Sequence, residues 1–202
     1  MNLRTELPTA ENSSNFNAVA DAATKVGTTL ENLKAAVAGE TGASAKYAAF
    51  SKAAKEQGFD QLARLWEATS AAEQIHINLE ASLVEAEDPS YTRPTAEAPA
   101  PEAIDLNLIA SANGEIFETS DMYPTFIKKA QEEGHAKAVK VFTRAKLAEA
   151  VHAEKYLEAY NNIDAADDDA YYLCPGCGYI HKGDDFEKCP ICGVPKAKFQ
   201  RF

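Results

Sequence analysis

Residues 147–160 read LAEAVHAEKYLEAY. The composition, rich in Ala, Glu, Leu and Lys, favours helix. One stripe of that helix runs Phe142, Ala145, Glu149, His152, Tyr156, in steps of 3, 4, 3 and 4. The stripe should be apolar, yet it carries a carboxylate and an imidazole three residues apart. A lone Glu-x-x-His pair reads as a solvated helix face. The rest of the chain argues against that here.

Leu62, Trp66, Thr69, Glu73, His76 and Leu83 form a second stripe, and Glu73 and His76 repeat the motif 76 residues earlier. Glu40 lies on the stripe Val37–Glu40–Tyr47. Glu115 lies on Leu108–Glu115–Met122, with Glu118 one turn further on. Glu40 precedes Glu73 by 33 residues, and Glu115 precedes Glu149 by 34. The chain is an internal repeat of a helix pair, each giving one Glu and then one Glu-x-x-His. Burying these groups without neutralisation costs several kcal/mol per ion. Two divalent or trivalent cations remove that cost. One Glu from each of two helices and Glu-x-x-His from each of two others is the donor set of the di-iron carboxylate bundles. Mixed oxygen and imidazole donors suit iron or manganese better than zinc.

The spacing predicts four helices, at about 29–57, 61–87, 105–133 and 135–161. Thr28 and Glu31 have capping-box spacing. Gly58, Pro89, Gly134 and Asn161–Asn162 mark the stops. Between the second and third helices lies EDPSYTRPTAEAPAPEAID, with four of the nine prolines. At ~3.1 Å per residue this extended segment can run the length of a bundle. One long central crossover makes the architecture a mainly α, ferritin-like four-helix bundle. Pro124 removes one helical hydrogen bond, to Ser120; a tolerated kink and slack beside Glu118 both fit. The domain boundaries read as an unassigned arm at 1–27, possessing at most a short helix near 15–26, a bundle at 28–162, an acidic linker at 163–170 and a small domain at 171–202.

That last domain holds all four cysteines, as Cys174-x-x-Cys177-Gly and Cys189-x-x-Cys192-Gly. It is too small to fold on apolar burial alone and needs a staple. The two knuckles specify a tetrahedral four-cysteine site, and the residues themselves fit zinc or iron equally. Tyr179 and Phe199 pack around it as ordinary core. His135, at a helix start, reads as solvated, and His181, between the knuckles, as structural or exposed.

Net charge is 20 − 31 = −11, which repels phosphate and argues against nucleic-acid binding. No stretch reaches the ~18 apolar residues of a membrane span, and the N-terminus lacks a signal-peptide core. Clustered CxxC pairs fit a reducing compartment, so the expected location is cytoplasmic.

From about residue 28 onward, the stretches AGETGASAKYAAF, EATSAAEQIH, GEIFETSDMYP, AEAVHAEKY and CPGCGYIHKGDDFEKCPICGVPKAKF resemble the rubrerythrin family, a ferritin-like di-iron bundle joined to a rubredoxin-like domain. The resemblance implies Glu40, Glu73, His76, Glu115, Glu118, Glu149 and His152 around two irons, with Glu73 and Glu149 bridging. It implies that Glu118 and His76 exchange on one iron as redox state changes, and that Tyr47 and Tyr123 stand beside the ligands. It tips the metal on Cys174, Cys177, Cys189 and Cys192 toward iron. It further implies reduction of hydrogen peroxide to water, with electrons from a rubredoxin or NAD(P)H-dependent reductase, in a head-to-tail homodimer. Two other functions compete with this one. A ferroxidase or iron-handling protein would need no cysteine relay. A zinc-ribbon interaction protein would leave the doubled Glu-x-x-His without a use.

Overall fold

Thr28 begins the bundle with a full capping box: its hydroxyl accepts from the Glu31 amide, and the Glu31 carboxylate accepts from the Thr28 amide at 2.8 Å. Helix α1 runs Thr29–Glu56 and ends in a turn where Gly58 takes φ +82°. Helix α2, Asp60–Glu87, returns alongside it. The proline-rich crossover then carries the chain to α3, Ile104–Phe117. It is tied to α1 and α2 by Lys34–Asp88 at 2.7 Å and Arg93–Glu85 at 2.6 Å. Helix α5, Ala136–Asn161, follows a turn at Gly134 and packs along α3. His135 is not simply solvated, because Nδ1 accepts from the Ala138 amide and caps α5, while Nε2 meets Glu87 at 2.5 Å. The computed structural model describes residues 24–163, 165 and 167–202. The short helix suggested near 15–26 falls almost entirely outside them, and residues 24–28 are irregular.

The third bundle helix departs from a continuous 105–133. After α3 the backbone opens into a π-helical turn, Glu118–Met122, before resuming as α4, Tyr123–Glu132. The Tyr123 amide bonds to the Glu118 carbonyl, five residues back. Pro124 has no amide with which to close the ordinary bond to Ser120, so the wider turn loses little.

Two apolar clusters fill the bundle. One holds Phe50, Leu62, Trp66, Leu108 and Tyr156; the other holds Leu33, Val84, Phe126 and Phe142. Along α1 and α2 the polar stripe positions lie between them. The cysteine domain is a three-stranded antiparallel sheet in the order β2-β1-β3, from β1 (Tyr171–Leu173), β2 (Ile180–Lys182) and β3 (Gln200–Arg201). Its Tyr171, Leu173 and Ile180 complete the first cluster, so the small domain rests on the bundle. Among the described residues no helix is long and apolar enough to cross a membrane.

Trp66 is fully buried, and its indole donates to Ser111 Oγ at 2.9 Å, linking α2 to α3. Trp66→Phe keeps most of the apolar contact and loses this bond. It is expected to lower unfolding free energy by about 1–2 kcal/mol, read as a lower denaturant midpoint at constant slope.

Candidate metal centres

Between the apolar clusters the helices bring their polar stripe residues into one layer. Glu40, Glu73, His76 and Glu149 offer four donor atoms within 4.8 Å of one another, and so do Glu73, Glu115, Glu149 and His152. Glu73 and Glu149 belong to both groups. All six residues are at most 1 % exposed. His76 Nδ1 lies 3.0 Å from Glu73 Oε2 and 2.7 Å from Glu149 Oε1, and His152 Nδ1 lies 2.8 Å from Glu149 Oε2. The two imidazoles are nearly parallel, 6.3 Å apart. Glu118 is in neither group but lies beside them at 8 % exposure.

Inside the layer, Glu40 Oε2, Glu73 Oε1 and Glu115 Oε2 lack a hydrogen-bond partner, and the two Glu149 oxygens meet only the imidazole nitrogens of His76 and His152. Buried polar atoms are seldom left so. These atoms converge in two overlapping groups, which fits two cations rather than any pairing within the protein. The electrostatics agree. Burial, reinforced by neighbouring carboxylates, pushes Glu40 and Glu118 well above the usual carboxylate range and Glu115 up to about 8. Burial also opposes charge on Glu149, but His76 and His152 outweigh it and hold its carboxyl far down. Burial opposes charge on both histidines in turn, and Glu149 overcomes it to raise them. Without metal, protons must take the place of cations.

Two tyrosines brace the layer crosswise. Tyr47 on α1 donates to Glu115 at 2.6 Å, and Tyr123 on α4 donates to Glu40 on α1. Their spacing explains the unequal repeat. Glu40 to Tyr47 is seven residues and Glu115 to Tyr123 is eight, while Tyr47 to Glu73 and Tyr123 to Glu149 are both 26. The extra residue of the second half lies between Glu115 and Tyr123, where the π turn is. Glu118 opens that turn. One buried carboxyl was missed in the sequence: Glu80, 0 % exposed, on α2 one turn past His76. It continues the stripe Glu73–His76–Glu80, and that alignment was the available signal.

In the small domain the four sulfurs form a single group, with Cys174–Cys192 at 3.4 Å and Cys177–Cys189 at 3.5 Å. Those separations approach the ~3.8 Å edge of a tetrahedron with ~2.3 Å metal–sulfur bonds. Hydrogen bonds from Cys174 and Cys177 pull Cys189 down to about 2, whereas bonding to Cys174 and Cys189, with burial, drives Cys177 far up. Crowding of the sulfurs therefore opposes a thiolate at Cys177, and a cation among them would remove that opposition. His181 is buried, joined to Asp185 at 2.7 Å and packed on Phe186.

The domain reaches the bundle layer directly. His76 Nε2 is 3.0 Å from the Cys177 carbonyl, and His152 Nε2 is 2.9 Å from the Gly178 carbonyl. Val151 of α5 packs against Cys174, Cys177 and Cys189. Gly178 has φ +78°, and a Cβ there would collide with His76 Nε2. Gly193 occupies the same place in the other knuckle, also at φ +78°, with open space around it.

Comparison with known proteins accounts for both centres. Residues 31–160 match the rubrerythrin family model, and residues 172–200 match the rubrerythrin rubredoxin-like domain. The chain belongs to the rubrerythrin family. It is 67 % identical to nigerythrin of Nitratidesulfovibrio vulgaris over the full length of both chains. It is 34 % identical to rubrerythrin of the same organism, over 85 % of this chain and 93 % of that one. Solved structures of nigerythrin in partially reduced and fully reduced, all-ferrous states superpose on it with a TM-score of 0.90, covering both chains completely. Both donor sets of such a protein are present here: carboxylates and histidines for a di-iron pair, and four cysteines for a single iron.

The metal-free protein should be pH-sensitive. Glu115 is raised from 4.5 to about 8. Between those values the folded state binds more protons than the unfolded one, so stability falls as pH rises. The raised histidines act in the same direction: their contribution is present below 6.5 and is lost as pH rises through their folded values. Glu149, lowered, contributes above its unfolded value and loses that only in strong acid. The melting temperature of apoprotein is therefore expected to fall from about pH 5 to about pH 8, and iron loading should abolish the fall. A flat apoprotein profile would contradict this account of the layer.

Proposed function

We propose that the chain is a non-haem di-iron peroxidase that reduces hydrogen peroxide to water and thereby protects against oxidative stress. In this reading Glu40, Glu73, His76, Glu115, Glu149 and His152 would hold an iron pair, Glu73 and Glu149 being common to both donor groups. Glu118 would be a further carboxylate ligand, interchangeable with His76. The pair supplies both electrons that peroxide needs. Electrons arrive from a rubredoxin or an NAD(P)H-dependent reductase through the iron on Cys174, Cys177, Cys189 and Cys192. Free cysteines suit a reducing cytoplasm.

The observation that carries the proposal is the pair of contacts from His76 and His152 to the backbone of the first cysteine knuckle. Each imidazole turns Nδ1 toward the carboxylates and Nε2 toward a carbonyl. Donation to that carbonyl keeps the proton on Nε2 and leaves Nδ1 free for metal. A ferroxidase needs the bundle but has no use for these contacts. They are made within one chain, and a head-to-tail homodimer exchanging its small domains would make the same contacts between subunits. The protein's part in the chemistry is orientation and exclusion of water. Tyr47 and Tyr123 fix the carboxylates, and Glu118, the most exposed of the seven candidates, marks the side from which peroxide enters.

The two knuckle glycines supply the test. Gly178→Ala and Gly193→Ala both place a side chain at positive φ, costing about 1–2 kcal/mol each. Only Gly178→Ala also pushes against His76. Gly178→Ala displaces a proposed ligand, so iron content and single-turnover peroxide consumption by pre-reduced protein are measured for both variants, and each steady-state rate is read relative to its own single-turnover rate. Steady-state NAD(P)H oxidation driven by peroxide should drop roughly tenfold or more in Gly178→Ala, a barrier change of ~1.4 kcal/mol, and stay near normal in Gly193→Ala. Equal steady-state rates in the two would remove the relay from the mechanism.

A further inference from the structure

Glu80 is a buried carboxyl that none of these roles uses. Its Oε1 is 2.9 Å from the Tyr123 hydroxyl, and its Oε2 has no hydrogen-bond partner. The same hydroxyl reaches Glu40 Oε1. Three oxygens therefore stand in a row, and the middle one is a phenol with a single proton. With both carboxyls ionised, the phenol could serve one of them, and the other would face its lone pairs in a site that excludes water. As a metal ligand Glu40 is ionised and takes the phenol proton. The contact between Tyr123 and Glu80 then needs a second proton, and Glu80 is the group that can carry it.

We infer that Glu80 is held as the neutral acid, donating to Tyr123 while Tyr123 donates to Glu40. Its surroundings support that state. Burial is the main influence raising its carboxyl, to about 8, against the pull of His76 and Tyr123 and with a push from Glu149 and Glu73. The groups facing it are Glu40 on α1, Glu73 and His76 on α2, Tyr91 of the crossover, Tyr123 on α4 and Glu149 on α5, and none of these is a lysine or arginine.

The internal repeat shows that packing does not require an acid here. Seven residues after Glu73 comes Glu80; seven after Glu149 comes Tyr156, which bonds Thr69 at 2.5 Å. Tyr47 correspondingly serves Glu115. Only the Glu40 half of the site has an acid behind its tyrosine. This inference rests on Glu40 being a ligand, as the peroxidase reading has it.

Infrared spectroscopy of iron-loaded protein at neutral pH tests it. A protonated-carboxyl band should appear, shift on isotope labelling of glutamate and on exchange into deuterated water, and vanish in Glu80→Gln at equal iron content. In Tyr123→Phe the band should move, because the acid loses its acceptor. No such band in the wild type, or a band that survives Glu80→Gln, overturns the inference. Should Glu80→Gln fail to fold, an unchanged band in Tyr123→Phe overturns it as well. Peroxide turnover is measured separately, so loss of the peroxidase reading leaves the infrared result standing.

Discussion

A carboxylate taken from water into a dry interior loses several kcal/mol of solvation, and this bundle places a whole layer of them there. Glu40, Glu73, Glu115 and Glu149 are fully shielded, with two imidazoles between them. The apolar clusters above and below hold the helices together, but they also remove the water that would screen this charge. Cations are thus part of the energetics of the fold. Around the layer, the crossed tyrosines, the small domain on the histidine side and the repeat itself all serve to present carboxylate oxygen and imidazole nitrogen atoms inward.

The layer was legible because a helix stripe that should be apolar is interrupted at regular places. Glu149 and His152 interrupt α5, Glu73 and His76 interrupt α2, and the equal spacing of the two interruptions makes coincidence a poor explanation. The helix ends at Thr28, Gly58 and Gly134 were legible from capping chemistry. Glu80 was less legible because it stands outside the Glu-x-x-His motif and its counterpart in the other half of the repeat is Tyr156, although it is the next residue on the same face of α2. The π turn escaped because Pro124 fits both a kink and a loosened helix. The numbers 33 and 34 contained the answer, but only the crossed tyrosine contacts locate the odd residue.

The seating of the cysteine domain could not be read at all. Tyr171, Leu173 and Ile180 look like the interior of a small sheet, and Val151 looks like a spare apolar residue on α5. In the structure these residues join two domains. The interface is specific at the level of single atoms: two carbonyls of one knuckle meet two imidazole nitrogens. The identical sequence pattern of the second knuckle faces open space at Gly193. Two Cys-x-x-Cys-Gly motifs of equal appearance therefore have unequal duties, and only the fold assigns them.

An extra residue in a regular α-helix turns everything after it by about 100°. Had the residue gained between Glu115 and Tyr123 been absorbed that way, Tyr123, Phe126 and Ala130 would have swung off the core. The wide turn at Glu118–Met122 takes up the surplus locally, and those three side chains remain buried. The third helix thus has one stretch where chain length and helical phase are uncoupled. That stretch also introduces Glu118. One inserted residue thus adds a buried carboxylate beside the donor layer and leaves the phase of the helix beyond it as it was.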